Sequence, residues 1–228
     1  YFGGAEDGGQ FTSWDAVNID FAEAGLVDPA GNPVTGDITV QTGLINDMSA
    51  IGAAPGDMMS LAGGEEVQLE TFGMVEIRLV QDEQELQLAS PATIEVPLSS
   101  VGTPGDSVGL YYFDEAQGRW IEEGTLTLGA SSFTAEVSHF SSWNCDQPVE
   151  THQCITGRLV DADGGPLPSM SVKLNGVDYG TSSSVATDAD GRFCLAAKVS
   201  STNQLSAFAA EDDSVYSWAQ TVTTPSSS

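Results

Sequence analysis

Positive charge is what this 228-residue chain most lacks. Six Lys and Arg stand against 33 Asp and Glu, a formal net charge of −27. A surface of that sign repels phosphate backbones and anionic lipid, which argues against nucleic-acid binding. No apolar run approaches the ~20 residues that a membrane helix needs, so no membrane insertion is expected. There are only two histidines and three cysteines. The stock is too small and too widely spaced for zinc, and Cys145 and Cys154 do not form a CxxC pair. GxSxG and GxxxxGK[ST] are both absent, so a conventional hydrolase triad and a phosphate loop have no support. Helical periodicity is almost missing as well. The one candidate helical turn, INDMSAIGAAPGDM, carries Gly52, Pro55 and Gly56, which exclude anything long.

What is present is a recurring unit: a short apolar or alternating run, then a Gly, Pro, Asp or Asn corner. VNIDFAEAGLV, DPAGNPVTG and DITVQTGLI read as strand, turn and strand. EEVQLETFGMVEIRLV alternates through Val67, Leu69, Ile77 and Leu79, with Gly73 marking an expected bulge. SVGLYYFDEAQGRWIEEG reads as two strands around DEAQG, and SSVATDADGRFCLAAKV as a hairpin around DADG. Many short strands with regular turn signals point to all-β sandwiches.

Charge divides the chain. Residues 1–146 hold 24 acidic and 2 basic residues, whereas residues 147–228 hold 9 and 4. An acidic balance suits a protein that must stay soluble in salt or that meets cations. The polar stretch DQPVETHQ breaks the strand pattern between the two parts. The expected organisation is two β-sandwich domains in tandem. Residues 1–16 form a Gly-rich lead-in or an extended strand, and 17–146 form the first domain. Residues 147–153 form a linker, 154–222 the second domain, and 223–228 a tail. A start at Tyr1 and an end in TTPSSS suggest a piece of a longer protein. Few thiols among many short strands suit an extracellular or cell-surface protein with one disulfide and one spare thiol. Three buried reduced cysteines are the alternative.

Residues 17–146 resemble the ZU-five domain, chiefly its bacterial extracellular versions. The resemblance rests on ETFGMVEIRLV, ATIEVPL, VGLYYFDEAQGRWIEEG and AEVSHFSSW, which occur in that order. Residues 154–228 resemble the carboxypeptidase-regulatory-like domain, a transthyretin-type or Ig-like β-sandwich. Here the carrying residues are ITGRLVDADGGPLPSMSVKLNG and ATDADGRFCLAA. The resemblance implies a structural spacer or adhesion module, and it marks Cys145 with Cys194 as the disulfide, with Cys154 as the competitor. It also implies that the His139-Phe140-Ser141 tripeptide can cut its own backbone. Ser141 would attack the carbonyl carbon of Phe140, and the resulting ester would be hydrolysed by water. His139 would take the hydroxyl proton, a task that suits an imidazole of pKa ~6.5. The alternative places VSHFSSW in one strand, with Val137, His139, Ser141 and Trp143 on one face and Ser138, Phe140 and Ser142 on the other.

Two ligand classes have candidate residues. DADGG and DADGR look like fragments of calcium loops, but the twelfth position falls on Val172 and Val199, which cannot ligate, so both read as turns. Clustered carboxylates at Asp82, Glu83 and Glu85, or at Asp212 and Asp213, are the weak calcium candidates; no other cofactor is expected. Trp14, Tyr111, Tyr112, Phe113, Trp120, Trp143 and Trp218 are the candidates for a sugar platform, against a core role for the same rings. The leading expectation is a non-enzymatic extracellular module of a surface protein or fibre. The expected partner is another protein or a further copy of the chain, with the Gly-rich start donating a strand to a neighbour. Self-cleavage between Phe140 and Ser141 is the alternative, and a carbohydrate- or calcium-dependent binding module a further one.

Overall fold

The computed structural model describes residues 2–99, 102–105, 108–211 and 214–226, without the side chains of 48–49, 208–211 and 214–217. In chain order the first strands are β1 (Gly9–Thr12), β2 (Asn18–Phe21), β3 (Leu26–Val27), β4 (Thr39–Ile45), β5 (Met59–Ala62) and β6 (Glu65–Gln81). Then come β7 (Gln84–Glu85), β8 (Gln87–Leu88), β9 (Ala92–Pro97), β10 (Gly109–Asp114), β11 (Arg119–Glu122), β12 (Leu126–Leu128), β13 (Ser132–Val137) and β14 (Ser142–Pro148). The last are β15 (His152–Arg158), β16 (Ser171–Gly176), β17 (Ser182–Ala186), β18 (Arg192–Lys198), β19 (Thr202–Glu211) and β20 (Ser214–Thr223). The protein is all-β, with mostly antiparallel sheets. Among the described residues the single helical element is a 3-10 stretch, Met48–Ala53, within the segment whose Gly and Pro content excludes a long helix. No described helix is long and apolar enough to cross a membrane.

The chain forms two compact units. One comprises residues 1–46 and 71–147, the other 47–70 and 148–228. The chain therefore enters the second unit twice, first as an excursion at 47–70 and again from 148 onward.

The first unit has a five-stranded sheet in the order β1-β2-β9-β13-β12 and a larger one with the path β11-β10-β14-β6-β4. Alternation makes one face of each sheet apolar. Ile94 and Val96 on β9, and Phe133, Ala135 and Val137 on β13, are buried, while Thr93, Thr134 and Glu136 are exposed. On β6, Val75, Ile77 and Leu79 are buried and Glu76 and Arg78 exposed. These side chains meet Trp143 and Cys145 in one core. Each fully buried Val, Ile, Leu or Phe contributes about 1.5–3 kcal/mol. Gly73, expected as a bulge, has φ +150°, and a Cβ there would lie 2.9 Å from Pro97 O, so the close approach itself requires glycine.

The Gly-rich start is built into this unit. Phe2 and Ile38 exchange backbone hydrogen bonds of 2.9 and 2.8 Å, and Ala5 N donates to Gly36 O at 3.0 Å. β1 pairs with β2 from Gly9 opposite Phe21 to Thr12 opposite Asn18. The Phe2 and Phe21 rings lie 5.0 Å apart. The segment expected as a strand donor is thus already paired within its own unit.

The second unit has a two-stranded sheet, β15-β18, and a four-stranded one, β17-β16-β19-β20. Its core joins Val172 and Leu174 of β16, Phe193, Leu195 and Ala197 of β18, and Leu205 and Ala207 of β19. Long-range hydrogen bonds hold the 47–70 excursion in this unit. Met58 N donates to Ser182 O at 2.7 Å, Thr181 Oγ1 donates to Leu69 O at 2.8 Å, and Ser184 N and Oγ donate to Asp57 Oδ2 at 3.0 and 2.9 Å.

Candidate functional site

His139-Phe140-Ser141 is not part of a strand. Residues 138–141 form a bend between β13 of one sheet and β14 of the other. The single-strand reading of VSHFSSW, with its two alternating faces, is therefore corrected: the chain must turn here to cross between sheets. His139 is wedged among aromatic rings, 4.8 Å from both Tyr112 and Trp143. Its Nε2 lies 3.6 Å from Glu123 Oε2, and its carbonyl accepts from Trp143 Nε1 at 3.1 Å. Ser141 Oγ donates to Phe113 O at 3.2 Å, and Ser141 O accepts from Ile77 N at 3.3 Å. Phe140 packs at the edge of the core, its ring 6.2 Å from that of Phe21. The corner thus gathers an imidazole, a carboxylate and a serine on neighbouring residues. In this arrangement the imidazole faces Glu123 and the hydroxyl faces Phe113, and the two do not hydrogen-bond each other.

The carboxylates expected at turns are engaged by backbone. Asp161 Oδ1 accepts from Asp163 N and Gly165 N at 3.0 and 2.7 Å, and Asp188 Oδ1 accepts from Asp190 N and Arg192 N at 2.9 and 2.8 Å. Asp28 does the same with Ala30 N and Asn32 N, and Asp114 with Ala116 N and Gln117 N. The Asn32 amide holds Asp28, and the Gln117 amide holds Asp114, below the usual aspartate range. Of the weak calcium candidates, Asp82 and Glu83 form the two-residue turn between β6 and β7, both at positive φ. Glu85 faces Arg78 at 3.4 Å. Asp212 and Asp213 lie outside the described residues. Among the described residues no three His, Cys, Asp or Glu side chains gather as a metal ion requires.

The disulfide joins Cys154 and Cys194, with their Cα atoms 5.5 Å apart. The pairing of Cys145 with Cys194 implied by the resemblance is thus corrected. Cys154 pairs with Ala196 and Cys194 with Thr156, so the cysteines are diagonal neighbours on the solvent face of β15-β18. Cys145 points instead into the core of the first unit, where burial pushes its thiol up to about 12.

The aromatic candidates scatter. Tyr111, Trp120 and Trp143 are buried, Tyr112 and Phe113 half-buried, and Trp14 and Trp218 exposed on different units. Trp14 stands fully exposed on an ordered turn, where Ser13 N donates to Val17 O at 2.9 Å and Val17 N to Ser13 Oγ at 3.0 Å.

One cluster has no signal in the sequence. Thr71 on β6 and Asn144 and Asp146 on β14 are all buried. The Thr71 hydroxyl donates to Asn144 Oδ1. Asn144 Nδ2 has no hydrogen-bond partner among the described residues, and the Asp146 oxygens have none beyond the nearby Thr71 hydroxyl. Burial raises the Asp146 carboxyl well above the usual aspartate range, against the lowering influence of the Thr71 hydroxyl beside it.

No family model, no curated protein and no solved structure matches this chain.

Proposed function

We propose that this chain is an extracellular structural or adhesive module of a larger surface protein or fibre, two β-sandwich domains in tandem, ZU-five-like and then transthyretin-like. It works by contact and turns over no external substrate. The observation that carries this reading is the state of the sheet edges in the second unit. Among the described residues β15 pairs with β18 alone and β20 with β19 alone. An apolar groove of about 860 Å3 runs between those sheets, lined by Ile155, Leu159, Phe193, Leu205, Trp218 and Val222 among others. An extended segment of another protein chain adding to such an edge would satisfy open backbone groups and seat alternate side chains in the groove. The solvent-facing disulfide agrees with an oxidising compartment. Light scattering and electron microscopy across a wide concentration range test the assembly. Growth that a Trp218→Asp substitution suppresses supports it, and monomers throughout overturn self-assembly.

A second reading, autoprocessing between Phe140 and Ser141, is favoured by the placement of the tripeptide in the crossover between two sheets. Both ends of a cut chain would stay held, one in β13 and one in β14. Denaturing gel electrophoresis decides it: two fragments that Ser141→Ala restores to one chain support cleavage, and a single intact band rejects it.

A further inference from the structure

The polar cluster in the first unit belongs to neither reading above. Burying an amide nitrogen without a partner, and a carboxyl with only the Thr71 hydroxyl beside it, is costly, and folded proteins rarely leave such groups so poorly satisfied. Here the two lie two residues apart on β14, hence on one face of the strand. The neighbouring strand β6 supplies Thr71, whose hydroxyl already rests against the Asn144 side-chain amide. A second hydrogen bond, from Gly73 N to Thr71 Oγ1 at 3.3 Å, fixes the oxygen in place. A nucleophile, an acyl group and a proton carrier therefore lie together in one buried cluster.

We propose that Thr71 and Asn144 become joined by an ester bond, with Asp146 carrying the proton. The Thr71 oxygen attacks Asn144 Cγ, the Cγ–Nδ2 bond breaks, and the hydroxyl proton leaves with the nitrogen as ammonia. One amide and one alcohol become one ester and one ammonia, and no oxidant or other reactant is required. A protonated Asp146 gives its proton to the departing nitrogen and recovers one from the attacking hydroxyl. Fixed juxtaposition supplies the effective concentration that a weak alcohol nucleophile needs. Burial of all three side chains limits the access of bulk water to the product. Loss of ammonia also removes the unpartnered Nδ2. The bond would staple β6 to β14, two adjacent strands of the larger sheet.

Intact mass spectrometry of the full folded chain tests this. The expected mass is below the sequence mass by one ammonia, beyond the two hydrogens of the disulfide. After digestion, the peptide bearing Thr71 should stay linked to the peptide bearing Asn144 until hydroxylamine releases it. Thr71→Val should restore the ammonia, and Asp146→Asn should retain the unlinked mass in a folded protein. An unmodified mass in the wild-type chain overturns the proposal without reference to any variant. So does an ammonia loss that maps to an unlinked Asn144 peptide, which would mark a succinimide, or a loss that persists in Thr71→Val. Normal linking in Asp146→Asn would overturn the assignment of the proton carrier.

Discussion

Lys198 Nζ donates to Glu70 Oε2 at 2.7 Å, across 128 residues of sequence. The carboxylate is buried and the ammonium partly exposed, 4% against 38% of their side-chain surfaces. The Lys198 ammonium also lies 5.5 Å from the centre of the Tyr179 ring, whose hydroxyl donates to Asn203 Oδ1 at 2.7 Å. The pair ties the end of the 47–70 excursion to β18. Lys198→Ala takes the ammonium away from a buried carboxylate. Fully buried pairs lose about 3–5 kcal/mol this way; partial solvation of Lys198 lowers the expected loss to about 2–3 kcal/mol. Chemical denaturation of the second unit's transition measures it.

Reduction, or Cys154→Ser with Cys194→Ser, should destabilise the second unit by about 2–4 kcal/mol, since the bridge closes a 40-residue separation in the unfolded chain. Non-reducing peptide mapping should find Cys154 linked to Cys194. Cys145, buried and with its thiol pushed up to about 12, should resist alkylation until the first unit unfolds.

Asp146 should make stability fall as pH rises. Its folded-state pKa lies above its unfolded value, so its favourable contribution is present below about pH 4 and is lost as pH climbs through the folded value. Asp146→Asn removes that dependence, so the stability difference between variant and wild type should shift in the variant's favour as pH rises. Urea midpoints taken at a series of pH values measure the difference.

Asp28 and Asp114 behave in the opposite sense. Their pKa values are lowered in the folded protein, so their contribution is present above about pH 4 and disappears as pH falls through the folded values. Asp28→Ala and Asp114→Ala should therefore be less stable than wild type at neutral pH, and the gap should close in strong acid. Thermal melts at both ends of the range show it.

Trp14→Ser should change stability by less than about 0.5 kcal/mol, because the ring is fully exposed. It should remove the most readily quenched part of the tryptophan fluorescence, read by acrylamide titration.

Local pattern carried the fold class. Alternation in ATIEVP and SFTAEV buries one side chain in two, and such runs cannot bury an apolar face as helices. The Asp-led corners at Asp28, Asp114, Asp161 and Asp188 were equally legible, because an Asx turn is built from one carboxylate and the next few backbone amides. The His139–Ser141 corner was visible as residue types, but its bend was not, since alternation through VSHFSSW mimics a strand.

What the sequence by itself determined was therefore everything that depends on neighbours along the chain: strands, corners and the near absence of helix. Tertiary structure alone decided which cysteine meets Cys194, that residues 47–70 belong with residues beyond 148, and that Thr71 lies against Asn144, 73 residues away. The physical reason is range. A turn is set by the energetics of a few adjacent residues, whereas these pairings are set by which strands share a sheet and which face each strand turns inward.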